Sequence, residues 1–524
     1  MPMKISPLFI YKSCIFYLII PILFFFLGWL RLGIGLVLSV LLLLASASFL
    51  KKVKSLTAND ELIILTKEYY IAFIILLLFL LSTGNTGFVG CWGVDIPWRN
   101  AIYQDLIRES WPVIYDYSHS MLCYYMTFWL VPAEITALLG LNETGSNVVL
   151  LIWMYIGLLL VFFLLSIILK PKKEQVTLIT VIFLFFSGIN IIGMILTAFF
   201  FEPTTLVADF PGRSCWSFSE FNIHGIDIVF IIRDTYLNIA DVYNQFFAIA
   251  ISTLLFYKFR NNVDFYAYIG LMVLPYSPIG FIGLFVVEVI EFAFNTLKNR
   301  KLYGKKNIKD CLSIINVFSS LSLVPIFYLY YSMNLHAVVL KPGHAISNSI
   351  LYIPWNQFSG WELFIIFTFL LMYYYFYFLI YALYIYDVYK KDSVFWAILF
   401  CLIVFPFFKV GSTADFNYNA TTCPYFILCI LIMKYLLQVL TSKGIKTKDL
   451  VLVFFLSIAM LTPIIQITTS FRCAYLNHSI SCKWIPWSEE LQKDSFKDKN
   501  IQGFRNFLAE GYDEQPFYLY VSKR

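Results

Sequence analysis

Between Gly84 and Pro132 the chain reads GNTGFVGCWGVDIPWRNAIYQDLIRESWPVIYDYSHSMLCYYMTFWLVP, and this stretch decides how the rest is understood. Asp95, Arg99, Asp105, Arg108, Glu109, Asp116 and His119 all fall inside it. Long apolar runs stand on both sides. A polar and aromatic segment in that setting is a loop at the edge of a bilayer, and any chemistry starts there.

Outward from this loop, the 524 residues are 60% hydrophobic and 13% charged, whereas soluble domains carry about 25% charged residues. The composition predicts an all-α polytopic membrane protein with the bilayer as its first partner. It gives no reason to expect nucleic acid binding. A spanning helix needs about 20 apolar residues at about 1.5 Å each. By that measure the spans are 13–30, 33–50, 69–83, 147–169, 177–201, 239–257, 263–276, 279–297, 311–332, 362–386, 393–409, 424–441 and 450–469, a bundle of about 13. No small-residue cleavage site follows the first run, Cys14 to Leu30, so it is expected to remain as an anchor.

Short cytoplasmic loops retain Lys and Arg, and the basic clusters fall on one side. They are Lys4 and Lys12, Lys51 to Lys54 with Lys67, Lys170 to Lys173, Lys258 and Arg260, Lys298 to Lys309, Lys390 and Lys391, and Lys443 to Lys448. The alternation requires 263–297 to be a hairpin of two short spans broken at Pro275-Tyr-Ser-Pro278, where the prolines interrupt the helical ladder. Outside the cytoplasm then lie 84–146, 202–238, 333–361, 409–423 and the tail 470–524, which hold all five histidines. The chain divides into a membrane domain, 1–469, whose first external loop is 83–146, and a small extracytoplasmic cap, 470–524. The functional face is expected outside the cytoplasm.

Within the first loop, Trp98, Ile102 and Leu106 recur at helical spacing, which predicts an amphipathic helix in the interface plane. Met121 to Leu139 predicts a second interfacial or re-entrant helix. In the tail, Asn506 to Tyr520 ends in alternating aromatics that suit an edge strand or docking on the loops. Cys473 and Cys482 enclose a short loop on the oxidising side and are candidates for a disulfide, with Cys91 and Cys215 a weaker pair.

Asp95 follows a Gly-rich turn and precedes Pro97. Lipid would push its pKa up and a cation such as Arg99 would pull it down, which is how a general base is tuned. The bland alternative is a cap on the helix beginning near Trp98. Asp105 and Glu109, four apart on one helical face, could hold Mg or Mn, although a solvated polar face explains them as well. Trp residues crowd the external loops, as an aromatic belt or as stacking surfaces for sugar rings. Glu288 and Glu291 fall near the cytoplasmic end of one span and Lys434 about midway along another, where they snorkel or meet one another.

The segments Asp95-Ile-Pro-Trp-Arg-Asn100-Ala-Ile-Tyr-Gln-Asp105, Trp111-Pro-Val-Ile-Tyr and Cys123-Tyr-Tyr-Met-Thr-Phe-Trp-Leu-Val-Pro132 resemble the first external loop of bacterial GT-C glycosyltransferases. Weaker likenesses follow at Phe186 to Gly193, Tyr243 to Gln245, Tyr276 to Gly280, Asp415-Phe416 and Leu461-Thr-Pro463. The resemblance implies an inverting glycosyltransferase using a polyprenyl-phosphate-linked sugar donor and a glycan, lipid or protein acceptor, with no cofactor required. It also implies the bacterial inner membrane as the location, and Asp95 would be the base. Arg99, Arg213, His224, His336, Lys341 and His344 would supply contacts to the donor phosphate, and Trp98, Asn100, Tyr124 and Tyr125 would meet sugar or acceptor. Two departures stand out: Trp98-Arg99 replaces a basic residue followed by His, and Asn419 stands where an Arg is expected. The competing classes are a transporter or flippase of lipid-linked glycans and a polysaccharide polymerase or ligase.

Overall fold

A computed structural model of the protein describes residues 3–89, 96–201, 218–298, 307–339, 351–353, 355–409, 415–441, 446–476 and 507–523. The side chains of Ile96, Pro97, Tyr117, Lys298, Cys473 and residues 335–339 are outside this description. Apolar runs become helices because hydrocarbon offers backbone groups no partner, so each must be satisfied within its own segment. In order, the helices are α1 (Pro7–Trp29), α2 (Leu32–Leu56), α3 (Lys67–Ser82), α4 (Ile96–Arg108), α5 (Leu130–Leu138) and α6 (Glu143–Leu169). After these come α7 (Val176–Phe185), α8 (Asn190–Phe200), α9 (Thr235–Phe259), α10 (Tyr266–Leu271), α11 (Pro278–Lys298) and α12 (Ile314–Val339). The last group is α13 (Gly360–Tyr374), α14 (Ile380–Tyr389), α15 (Ser393–Val404), α16 (Asp415–Ala420), α17 (Thr422–Thr441), α18 (Thr447–Ala459) and α19 (Leu461–Leu476).

Among the described residues ten helices, some built from two consecutive elements, are long and apolar enough to cross a bilayer. The protein is thus an integral, multi-pass membrane protein. Three of the thirteen predicted spans fall short of that length. Lys67–Ser82 has 16 residues, Ser393–Val404 has 12, and the segment predicted at 263–276 holds only the 6 residues of α10 followed by turns. The predicted break ahead of Pro278 is present, with α11 beginning at that proline.

Helix ends follow capping chemistry. Asn142 accepts from the Gly145 amide at 2.9 Å, Asp234 from Leu237 at 2.8 Å and Asp392 from Val394 at 3.2 Å. Ser359 and Glu362 form a reciprocal box at the start of α13, each such group satisfying amides that the first turn leaves open. Helix α9 is almost wholly buried and is the element around which the others pack. Gly283 of α11 lets the α16 backbone approach closely, since a Cβ there would lie 2.2 Å from the Ala420 carbonyl oxygen.

The ends carrying Lys and Arg share one face and are clasped there by ion pairs. Lys52 meets Asp264, Lys258 meets Asp60 at 3.0 Å, and Arg260 grips Asp392 with two bonds of 2.6 and 2.8 Å. On the opposite face, β3 (Ile114–Tyr115), β4 (Ser120–Leu122) and β7 (Leu508–Glu510) form an antiparallel sheet that ties the tail to the first loop, with Met121 opposite Ala509. The tail's strand is therefore Leu508–Glu510. Its aromatic end, Phe517–Val521, winds instead into one helical turn, and Arg31 donates to the Leu519 carbonyl at 2.5 Å.

Three readings of charge need correction. Glu288 lies at the middle of α11 rather than near its cytoplasmic end, whereas Glu291, one turn on, borders the lysine-rich face, and both are buried. Lys434 does not meet them but approaches the Tyr257 hydroxyl at 3.3 Å. In α4 the amphipathic spacing is real, but the helix is not an interfacial one with a wet polar face: Arg99, Asn100, Gln104 and Asp105 are buried with the apolar residues. Partners on α6, α9, β3 and the turn after α3 take up the polarity that solvent was expected to meet.

Candidate functional site

The site is assembled where α4 meets the outer end of α9. Arg99 lies in the first turn of α4, and its Nη1 is 3.6 Å from Asp241 Oδ1. Arg233, in the connection between the strand Ile226–Phe230 and α9, donates through Nη2 to Asp241 Oδ2 at 3.0 Å and through Nη1 to Asn419 Oδ1 at 3.0 Å. Its guanidinium also lies over the Tyr418 ring, 5.1 Å from the centroid. The Arg99, Arg233 and Asp241 side chains are only 6%, 8% and 16% exposed, so water screens these charges weakly.

The local fold explains why these groups converge. Asp234 caps α9 and also accepts from the Ser187 hydroxyl at 3.2 Å, which fixes the turn bearing Arg233. Asn238 donates to the Arg233 carbonyl at 3.1 Å. Val242 leaves helical geometry at φ −130 and ψ 39, so α9 bends immediately after Asp241. On the other side Asn100 donates to the Asn85 carbonyl at 2.7 Å and accepts from Tyr243, while Trp129 donates to Tyr243 Oη at 3.0 Å. Asn85 in turn donates to the Ile239 carbonyl. These bonds staple α4 to α9 on both flanks of the salt bridge. Burial pushes the Asp234 carboxyl up to about 6, against the amide and hydroxyl donors that pull it down.

The structure brings together only part of the predicted set. Arg99 belongs to the centre. Asn100 is buried in the staple, with both ends of its amide engaged, so it ties α4 to α9. Trp98 packs 6.0 Å from the Phe507 ring. The Tyr124 and Tyr125 ring centroids lie 3.7 Å apart with the planes tilted by 33°, and Tyr125 lies within electrostatic reach of Arg99 and Asp415. His224 sits at the tip of the hairpin Ser219–Phe230, where Nε2 is 2.7 Å from Glu362. Its partner is thus a carboxylate at the start of α13 and not the arginine centre. His336 is in α12, but its side chain lies outside the described residues, as do Asp95, Arg213, Lys341 and His344 and the cysteines Cys91, Cys215, Cys473 and Cys482.

Asp105 and Glu109 stand in different surroundings. Asp105 is buried and accepts from the Tyr115 hydroxyl at 2.8 Å, whereas Glu109 is exposed. Burial and the neighbouring Asp105 push the Tyr115 phenol well up. Among the described residues no group of three His, Cys, Asp or Glu converges as a metal site. An apolar cavity of about 430 Å³ opens between α1 and α5, beside Phe24, Gly28, Trp111 and Glu134, and none of the three charged centre residues lines it.

Two members of the centre escaped sequence reasoning. Arg233 falls without distinction in the external segment 202–238, and Asp241 falls inside the predicted span 239–257. The available signal was the cost of an acid inside a span, which marks Asp241 as paired or functional. Comparison of the chain with family models, curated proteins and solved structures yields no match.

Proposed function

We propose that the protein is a membrane transferase that grips a lipid-linked phosphate outside the cytoplasm and moves the attached sugar to an acceptor, in the manner of the GT-C enzymes its first loop resembles. One observation carries this reading: Arg99 and Arg233, from elements far apart in sequence, close on a single carboxylate in a nearly buried site beside that loop. Guanidinium forks match phosphate geometry, and such charge-assisted bonds are strong where water is scarce. Asp241 would hold both forks in place until a phosphate takes over its contacts. Asn419 no longer reads as a lost grip, because Arg233 reaches the same position from another element.

Transfer would proceed by attack of an acceptor hydroxyl on the anomeric carbon. Asp95, the residue preceding α4, would take the hydroxyl proton, while Arg99 and Arg233 would stabilise the charge on the departing lipid phosphate. The test is binding of a polyprenyl phosphate to the purified protein in nanodiscs. Removing one charged bond with Arg233→Gln is worth about 1.5–3 kcal/mol, or roughly a ten- to hundredfold loss of affinity. Unchanged affinity in both Arg233→Gln and Arg99→Gln would remove the phosphate role. Sugar transfer that survives Asp95→Asn would remove the base.

A further inference from the structure

Glu288, near the middle of α11, is a buried carboxyl in the membrane region. It is 3% exposed, and among the described residues its Oε1 has no hydrogen-bond partner. The carboxyl lies against α10 at Gly270, whose lack of a side chain leaves it room: a Cβ there would be 2.6 Å from Oε2. One turn along the same helix, Glu291 is 2% exposed and accepts from Asn295 at 3.3 Å. Glu291 also lines a polar cavity of about 450 Å³ on the lysine-rich face, with Arg260, Asn295, Lys391, Asp392 and Ser393. Polar groups therefore continue from that cavity to Glu291 and on to Glu288, inside helices otherwise made of apolar residues.

We infer that Glu288 is a proton-binding site within the membrane, loaded from the lysine-rich face through Glu291 and the cavity beyond it. A bare carboxylate in an apolar interior costs many kcal/mol unless it is paired, so an unpaired one takes a proton instead. Among the described residues, the groups around Glu288 offer no counter-charge. From α10 the facing titratable side chain is Tyr266, from α17 it is Cys423, and from α11 itself it is Glu291. Helix α15 contributes Cys401 beside Cys423, and its cap Asp392 is already held by Arg260 at the end of α9. Helix α16 meets α11 through the Ala420 backbone, while its Tyr418 faces Arg233 and Asp415 is in reach of Tyr125. Arg260, the nearest described guanidinium on this route, is spent on Asp392 at two bonds and lies on Glu291's side.

In the loading step a hydronium in the cavity gives its proton to the Glu291 carboxylate and becomes water. The Glu291 acid then passes a proton to the Glu288 carboxylate, which restores Glu291. No other reactant is needed. This inference is independent of the proposed sugar transfer, because its residues lie toward the opposite face from Arg99 and Asp241.

The test uses the full chain in nanodiscs and dicyclohexylcarbodiimide, an apolar reagent that adds across the O–H of a protonated carboxyl to leave an acylurea. Mass spectrometry of the wild-type protein should place the adduct on Glu288, and labelling should fall about tenfold for each pH unit above the site's midpoint. Glu288→Gln, which keeps the volume, should remove the adduct, and Glu291→Gln should retain it. Infrared spectra after transfer to D2O read the route: the Glu288 carboxyl band should shift at least about tenfold more slowly in Glu291→Gln, a loss of about 1.4 kcal/mol in barrier terms. Absence of the adduct from wild-type Glu288, or pH-independent labelling, overturns the site. Equal exchange rates in the two proteins overturn the route.

Discussion

Asp241→Asn isolates the charge that holds the candidate centre together. Arg99 and Arg233 approach Asp241 at 3.6 and 3.0 Å with side chains 6% and 8% exposed. Truncating one partner of a buried ion pair costs about 3–5 kcal/mol. Asp241 is 16% exposed and Asn keeps an acceptor oxygen, which retains about 1 kcal/mol of neutral hydrogen bonding. The expected loss is therefore about 2–3 kcal/mol. Equilibrium unfolding in mixed micelles measures it. Combining Asp241→Asn with Arg233→Gln should cost less than the two single losses added, by about 0.5–3 kcal/mol, because the double variant leaves no stranded Arg233. Phosphate should also protect Asp241→Asn more than wild type, since the anion replaces the missing charge. A variant within about 0.5 kcal/mol of wild type, or strict additivity in the cycle, would show that these three side chains do not act as one unit.

Other expectations follow from single contacts. Burial raises the Asp234 carboxyl from 3.8 to about 6, so the folded state keeps a proton that the unfolded state releases. Stability from this group is highest below about pH 4, falls as pH rises through 4 to 6, and is lower by about 3 kcal/mol above that window. The difference between wild type and Asp234→Asn, measured by unfolding at pH 4 and pH 7.5, should reproduce that slope, since Asn still caps α9; a flat difference refutes it. Tyr115→Phe takes a donor from the buried Asp105 carboxyl and should cost about 1–3 kcal/mol. Faster amide exchange in α4 and β3 would accompany that loss, and an unchanged unfolding midpoint would contradict it.

Much of the membrane topology was legible because hydrocarbon imposes a simple rule on long apolar runs, and because Lys and Arg mark one set of helix ends. Lys52, Lys258 and Arg260 stand together on one face for that reason. The 3.6-residue spacing of Trp98, Ile102 and Leu106 likewise gave α4. Its surroundings were not legible, since periodicity shows that a helix has two faces but not what covers the polar one. Asp105 looked solvated because its partner Tyr115 arrives through a turn, and the pairing of Met121 with Ala509 joins segments almost 400 positions apart. Arg233 and Asp241 were hidden differently. Their meeting depends on the Asp234 cap and on the bend at Val242, and neither angle can be read from hydropathy.

The position of α9 follows from what stands at its two ends. From Val242 to Tyr257 it carries no formally charged side chain, while Asp241 lies at one limit and Lys258 with Arg260 at the other. Sliding the helix by one turn, about 5.4 Å, would pull Asp241 from Arg99 and Arg233 and, together with them, Arg260 from Asp392. Each displaced charge would enter apolar surroundings without its partner, so the two clusters penalise motion in both directions. Helix α9 is thereby fixed in depth, and α4 inherits that depth through the Asn100 and Tyr243 staple. Any ligand of the arginine centre is thus met by groups already in place, which is the condition under which charged contacts contribute most to binding.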